Sequence, residues 1–196
     1  MKRLFDIFAS GLGLIVLSPL FAVLAVWIKA DSRGPVFYRQ TRVGHNNRDF
    51  RLYKFRSMRV GSDKKGLITV GGHDPRVTRS GYYIRKYKLD EFPQLINVFT
   101  GDMSLVGPRP EVRKYVDMYT PEQMRVLTVR PGITSLASIR YRNENDILAA
   151  AEDPDRCYIE QVMPDKLAID LEYVDRASLW NDILLIFSTF REIIVR

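Results

Sequence analysis

The longest hydrophobic run in the chain is Ile7 to Ile28, 22 apolar or small residues without a charge. A straight helix of that length, rising ~1.5 Å per residue, reaches ~33 Å and spans a bilayer core. Lys2 and Arg3 precede the run, and Lys29 and Arg33 follow it. A secretory signal has such a start, but its apolar stretch is shorter and ends at small residues for cleavage, whereas this one meets Lys29. A spanning helix fits the length. Against it stand the basic residues at both ends and Pro19, near the midpoint behind Ser18. Proline removes a backbone donor and clashes with the carbonyl four residues back, so the helix should kink there. Basic flanks favour the cytoplasmic side for both ends. A helix bent at Ser18-Pro19 into two legs of roughly 11 residues, each ~17 Å, enters and leaves by the same face. Ser18 can bond to a carbonyl that the kink frees. The residues leave the re-entrant hairpin and the spanning helix as equal alternatives.

Beyond this run the pattern turns to short amphipathic pieces. Pro35 to Val43 and Arg48 to Arg56 are β-rich runs around Gly44-His-Asn-Asn47, which predicts a hairpin. Residues 61–81, rich in Gly, Asp and Lys, predict a mobile loop. Tyr82 to Leu89 predicts a short helix. A second is expected from Asp90-Glu91 through Phe99, since acids and proline suit a first turn. Gly101 to Pro110, with two prolines, predicts a structured loop. Pro121 opens a helix that ends before Arg130, and residues 144–175 predict helix with breaks at Pro154 and Pro164. From Ser178 to Val195, the residues Trp180, Ile183, Leu184, Phe187, Phe190 and Ile194 share one helical face, with Asp182, Arg191 and Glu192 largely elsewhere. That face fits either the core or a membrane interface with Trp180 at headgroup level.

Charge sharpens this picture. The 196 residues carry a net charge of +7, and residues 1–60 hold 11 Lys or Arg against 3 Asp or Glu. The basic end also holds the apolar run, so an anionic membrane surface is a natural partner. A nucleic-acid binder should instead line its cations on one face of a reader module, and none is recognisable here. Cys157 is the sole cysteine, so no internal disulfide forms. His45 and His73 are too few and too isolated for a zinc site and read as loop residues.

Candidate chemistry centres on the adjacent acids Asp90 and Glu91, which follow Arg85, Lys86 and Lys88. Nearby cations keep a carboxylate ionised, and an ionised carboxylate can be a nucleophile or a magnesium ligand. A capped helix start with surface ion pairs fits the same residues. Arg109 lies between two prolines in Gly107-Pro-Arg-Pro110, a stiff setting that suits bidentate phosphate binding. Lys54 and Arg56 share a strand face, and Arg130 precedes Pro131-Gly132. Many phosphate-competent cations and few nucleophiles point to phosphoryl chemistry. No glycine-rich strand–loop–helix motif of a P-loop or dinucleotide fold is present.

Together these motifs resemble the monotopic phosphoglycosyl transferases, or bacterial sugar transferases, in their minimal form without an added domain. The likeness covers nearly the whole chain. It rests on Lys2-Arg-Leu-Phe-Asp6, Ser18-Pro19, Gly34-Pro-Val-Phe-Tyr-Arg-Gln40, Lys54-Phe-Arg-Ser-Met58, Leu89 to Val98, Gly101 to Pro110 and Arg130-Pro-Gly-Ile-Thr134. The resemblance implies a mixed α/β, mainly helical fold with a small β-hairpin, monotopic in the membrane. Residues 1–30 would form a re-entrant helix broken at Ser18 and Pro19. Residues 31–196 would form the catalytic domain, with a C-terminal interfacial helix. It implies Asp90 as covalent nucleophile, Glu91 as its partner, and both as ligands of Mg2+. Lys54, Arg85 and Arg109 would serve substrate phosphates, and Asp170 matches an acid near the site. The implied reaction moves a sugar phosphate from a UDP-sugar to a polyprenol phosphate, releasing UMP, at the cytoplasmic face of a bacterial inner membrane among phospholipids. It is the first membrane step of glycoconjugate or exopolysaccharide assembly. A homo-oligomer stays open. The family often continues Pro-Gly-Ile-Thr with Gly, an apolar pair and Gln, but here Ser135-Leu-Ala-Ser138 follows, so the sugar cannot be assumed. The rival reading is a catalytically inactive, membrane-anchored interaction protein of the same fold.

Overall fold

A computed structural model describes residues 1–62 and 74–194, and the side chains through Thr189 together with that of Arg191. His73 and most of the expected 61–81 loop lie outside the described residues, as do the side chains of Phe190, Glu192 and Ile194.

The apolar run forms helix α1, Lys2–Asp31, which continues through Pro19. Proline at position 19 leaves the carbonyl of Ile15 without its N–H partner four residues on. The Ser18 hydroxyl donates to that carbonyl at 2.8 Å. Both halves, or legs, of this continuous helix pack on the rest of the chain. In the first leg Asp6 is buried and accepts from the Leu105 N–H at 3.1 Å. Gly11 and Gly13 let Phe99 and Leu95 approach the helix closely. In the second leg Leu24 and Ile28 join Phe55 and Ile84 in a buried cluster. Arg56 closes this end by donating to the carbonyls of Ser32 at 2.8 Å and Arg33 at 2.6 Å. Arg56 is therefore a structural residue and not a site cation like its strand neighbour.

The expected hairpin is present. Strands β1 (Phe37–Val43) and β2 (Asp49–Phe55) pair antiparallel with Phe37 opposite Phe55 and Val43 opposite Asp49. The connection is a 3-10 turn, His45–Asn47, in which Asn46 and Asn47 adopt positive φ, a conformation asparagine tolerates. Helix α2 spans Arg79–Lys86, earlier at both ends than the expected Tyr82 to Leu89, because Thr78 caps it by accepting from Gly81 N–H. Gly81 lies inside the helix where a Cβ would sit 1.9 Å from the Ser57 carbonyl oxygen. The expected helix from Asp90 to Phe99 divides into a 3-10 turn, Leu89–Glu91, and helix α3, Gln94–Thr100.

The loop at 101–110 contains strand β3 (Ser104–Val106), which pairs in parallel with β4 (Gly132–Thr134). Between them lies the short helix α4, Arg113–Val116. The segment after Pro121 is a 3-10 helix, Gln123–Thr128, rather than an α-helix. Then follow α5 (Leu136–Arg140), α6 (Glu144–Ala150) and α7 (Pro154–Cys157), with Pro154 in the first turn of α7. A π-helical turn, Tyr158–Val162, leads into α8, Met163–Asp175. The largest buried cluster joins Val112, Tyr115 and Val126 to Leu148, Tyr158, Val162, Met163 and Leu167.

Helix α9 covers Leu179–Ile194. Its apolar face does not enter the core: Trp180, Leu184 and Phe187 are 66%, 51% and 69% exposed. Asp182 is the inward residue. It is 2% exposed, accepts from the Tyr173 hydroxyl at 2.6 Å and pairs with Lys2. The protein is thus mainly helical with two small sheets among the described residues. Among the described residues, α1 alone is long and apolar enough to cross a membrane.

Candidate active site

Asp90 and Glu91 sit in the tight turn between α2 and α3. Lys88 enters that turn at φ 56°, a left-handed conformation unusual for a long side chain. The turn points the two acids in different directions. Glu91 faces β2 and the loop after β3. Its Oε1 accepts from Lys54 Nζ at 3.2 Å and from Arg109 Nη2, and its Oε2 accepts from Arg109 Nη1 at 3.3 Å. This is a bidentate arginine–carboxylate fork with a lysine added. Asp90 is buried, and its carboxylate accepts no hydrogen bond from the described residues.

The two acids consequently differ in charge behaviour. Burial works to raise the Glu91 carboxyl, but Arg109 and Lys54 overcome it and hold Glu91 well below the usual carboxylate range. Burial pushes the Asp90 carboxyl up. Lys54, Arg85 and Lys88 oppose that shift, and the adjacent Glu91 adds to it. Burial also pulls the Lys54 ammonium below its ordinary value, with Glu91 acting the other way. The neighbouring cations lower both acids as expected, but at Asp90 burial outweighs them.

Arg109 owes its position to two interlocked segments. The Gly107 N–H donates to the Thr134 carbonyl at 3.0 Å, and the Gly132 N–H donates to the Pro108 carbonyl at 3.0 Å. A Cβ on Gly107 would lie 2.4 Å from the Arg130 carbonyl oxygen, and one on Gly132 would lie 2.1 Å from the Gly107 nitrogen. Both positions therefore require glycine. Arg130 itself turns away and donates to the Gly101 carbonyl at 2.9 Å, capping the end of α3. Arg85, half-buried on α2, makes no hydrogen bond to a described residue but lies near enough to Asp90 to act on its charge.

Asp170 stands apart from the two acids. It is buried on α8 behind the Pro-Arg-Pro loop, beside the backbone N–H groups of Arg109 and Ala137 and the Ser135 hydroxyl. Burial lifts its carboxyl to about 7, against the pull of Lys166. Lys54, Arg85, Asp90, Glu91 and Arg109 thus come together, while Asp170 supports Arg109 from the rear. Arg42 and Gln94 also line the recess beside Lys54 and Arg109, and sequence reasoning missed both. Arg42 on a β-strand and Gln94 after Pro93 carry no chemical signal until the hairpin meets the turn.

No group of three or more His, Cys, Asp or Glu side chains able to hold a metal occurs among the described residues. Magnesium is satisfied by one or two carboxylates, with water and substrate phosphate completing its shell. Asp90, whose carboxylate accepts no hydrogen bond from the described residues, fits that mode, whereas both Glu91 oxygens are engaged by Lys54 and Arg109.

The sequence pattern of the bacterial sugar transferase family matches residues 1–196. A UDP-N-acetylgalactosamine-undecaprenyl-phosphate N-acetylgalactosaminephosphotransferase of Aeromonas hydrophila is 44% identical over 99% of this chain and 44% of its own length. A UDP-glucose:undecaprenyl-phosphate glucose-1-phosphate transferase of Escherichia coli (strain K12) is 38% identical over 96% of this chain and 39% of its own. The chain thus spans under half of these two relatives. It covers 92% of the exopolysaccharide production protein PSS of Rhizobium leguminosarum bv. phaseoli, at 40% identity over 96% of this chain.

Proposed function

Because this chain belongs to the bacterial sugar transferase family, we propose that it transfers a sugar 1-phosphate from a UDP-sugar to a polyprenol phosphate. The observation that carries this reading is the division of labour between Asp90 and Glu91. An acid whose oxygens are held by Arg109 and Lys54 cannot attack, whereas the Asp90 oxygens accept no hydrogen bond from the described residues. Asp90 is the nucleophile. One of its oxygens bonds to the phosphorus that bears the sugar, the bridging P–O bond of the diphosphate breaks, and UMP leaves with the electron pair. An oxygen of the polyprenol phosphate then attacks the same phosphorus. The aspartyl P–O bond breaks, the Asp90 carboxylate is restored and the product is a polyprenol diphosphate sugar. Covalent catalysis lets one site meet a soluble and a lipid substrate in turn.

Lys54, Arg85 and Arg109 meet the diphosphate with positive charge that develops no new field during reaction, the preorganisation that lowers such barriers. Asp90 would hold Mg2+, with Glu91 joining it by exchanging a contact to Lys54 or Arg109, and the ion when bound neutralises phosphate charge. The acceptor class and the UDP-sugar donor follow the names of the relatives. Their sugars differ, so the donor has to be found by trial.

The membrane reading is that α1 enters and leaves one leaflet on the cytoplasmic face of the inner membrane. It is supported by the packing of both α1 legs on a single body, through Asp6 at one end and Ile28 at the other. The exposed Trp180, Leu184 and Phe187 of α9 give that body an interfacial face. An aromatic group of Trp27, Tyr82, Tyr83 and Tyr87, each at least 40% exposed, adds another. Purified protein in nanodiscs with undecaprenyl phosphate and Mg2+ tests the reaction, using UDP-glucose, UDP-galactose and UDP-N-acetylgalactosamine as donors. Release of UMP over many turnovers, which needs the lipid acceptor, is expected from at least one donor. No UMP from any donor, in folded protein, favours the inactive interaction protein.

A further inference from the structure

Gln94 opens α3, four residues after Asp90. The residue is 2% exposed, and its buried Nε2 has no hydrogen-bond partner among the described residues. Buried side-chain amides are nearly always paired, and an unmet donor costs stability. Such a group persists where a ligand completes it. The surrounding recess is lined by Arg42, Leu52, Lys54, Gln94, Arg109 and Pro110. Three of these six are cations and none is a carboxylate. Lysine and arginine have no acceptor to offer an N–H, and the Pro110 carbonyl is already taken by Arg42 at 3.0 Å. Glu91 is committed to Lys54 and Arg109. Gln94 lines this cation-walled recess, and an amide donor at such a place is complemented by an oxygen of an anion. The recess is small, suited to one oxygen rather than to a sugar ring.

We propose that Gln94 is a substrate-binding residue whose Nε2–H donates to a non-bridging phosphate oxygen of the nucleotide-sugar diphosphate, between Lys54 and Arg109. The proposal rests on the transferase reading above and adds a neutral donor to its cations. Because Gln94 meets phosphate and not sugar, its contribution is the same for every donor the enzyme accepts.

Gln94→Met tests this, since it keeps the side chain's length and removes the donor. UMP release is measured in nanodiscs with undecaprenyl phosphate, using UDP-glucose, UDP-galactose and UDP-N-acetylgalactosamine, alongside thermal unfolding without substrate. The expected result is a loss of about tenfold in kcat/KM on each accepted donor, the scale of one hydrogen bond to a charged group. The unfolding temperature should be unchanged or higher, because an unmet buried donor has been removed. An unchanged kcat/KM overturns the proposal, and so does a lowered unfolding temperature, with or without lost activity. Wild type that releases no UMP from any of the three donors overturns the functional reading itself.

Discussion

At the scale of single residues, the site separates acids that look alike in sequence. Asp90 and Glu91 are neighbours, yet one is clamped by two cations and the other is buried and open. Asp170 is a third case, an acid lifted to about 7 from an ordinary 3.8 by burial behind Arg109. Between those values the unfolded chain gives up the proton and the folded protein keeps it. The contribution of Asp170 to stability therefore falls as pH rises from about 4 to about 7 and is level above. Asp170→Asn should remove this slope, which can reach roughly 1.4 kcal/mol per pH unit inside the window. Urea unfolding at pH 5, 6, 7 and 8 should show the variant gaining on wild type up to pH 7 and then holding steady. Parallel profiles would contradict the burial account. The adjacent pair and the proline-flanked Arg109 were visible in the sequence because their chemistry is local. Arg56 was not separable from Lys54, because its partners are the carbonyls of Ser32 and Arg33 at the end of α1.

At the scale of elements, α1 is the part whose behaviour matters most. The Ser18 hydroxyl replaces the donor that Pro19 removes at Ile15, so a proline is carried in an apolar setting without an orphaned carbonyl. Single cysteines at Leu4→Cys and Ala30→Cys, in a Cys157→Ser background, test where the two ends lie. With an impermeant maleimide, both should label from the cytoplasmic side in inverted vesicles and neither in right-side-out ones. Labelling from opposite sides would establish a spanning helix. The β1–β2 hairpin was legible because alternation and a Gly/Asn turn are signals within one short segment. The β3–β4 pair was not, since three-residue strands carry no periodicity and their pairing depends on Gly107 and Gly132 meeting across distant segments. The orientation of α9 also escaped the helical pattern. Its inward residue is Asp182, and the Lys2 that pairs with it lies at the other end of the chain.

At the scale of the whole molecule, both legs of α1, the hairpin and the parallel pair converge on one turn. The first leg anchors on α3, the second on Phe55 and Ile84, and the acids lie in the turn between α2 and α3. A site assembled on the segment that holds the long apolar helix stays at a fixed position relative to it, as the proposed lipid acceptor, with its phosphate at headgroup level, would require. The central claim is that Asp90 takes up the sugar phosphate. The most direct measurement is the intact mass of folded, membrane-reconstituted protein mixed with Mg2+ and each of the three UDP-sugars without lipid acceptor. Wild type should gain the mass of one sugar phosphate with an accepted donor, and Asp90→Asn should gain none. An adduct that persists in Asp90→Asn, or lipid-dependent UMP release by Asp90→Asn at the wild-type rate, would contradict the account.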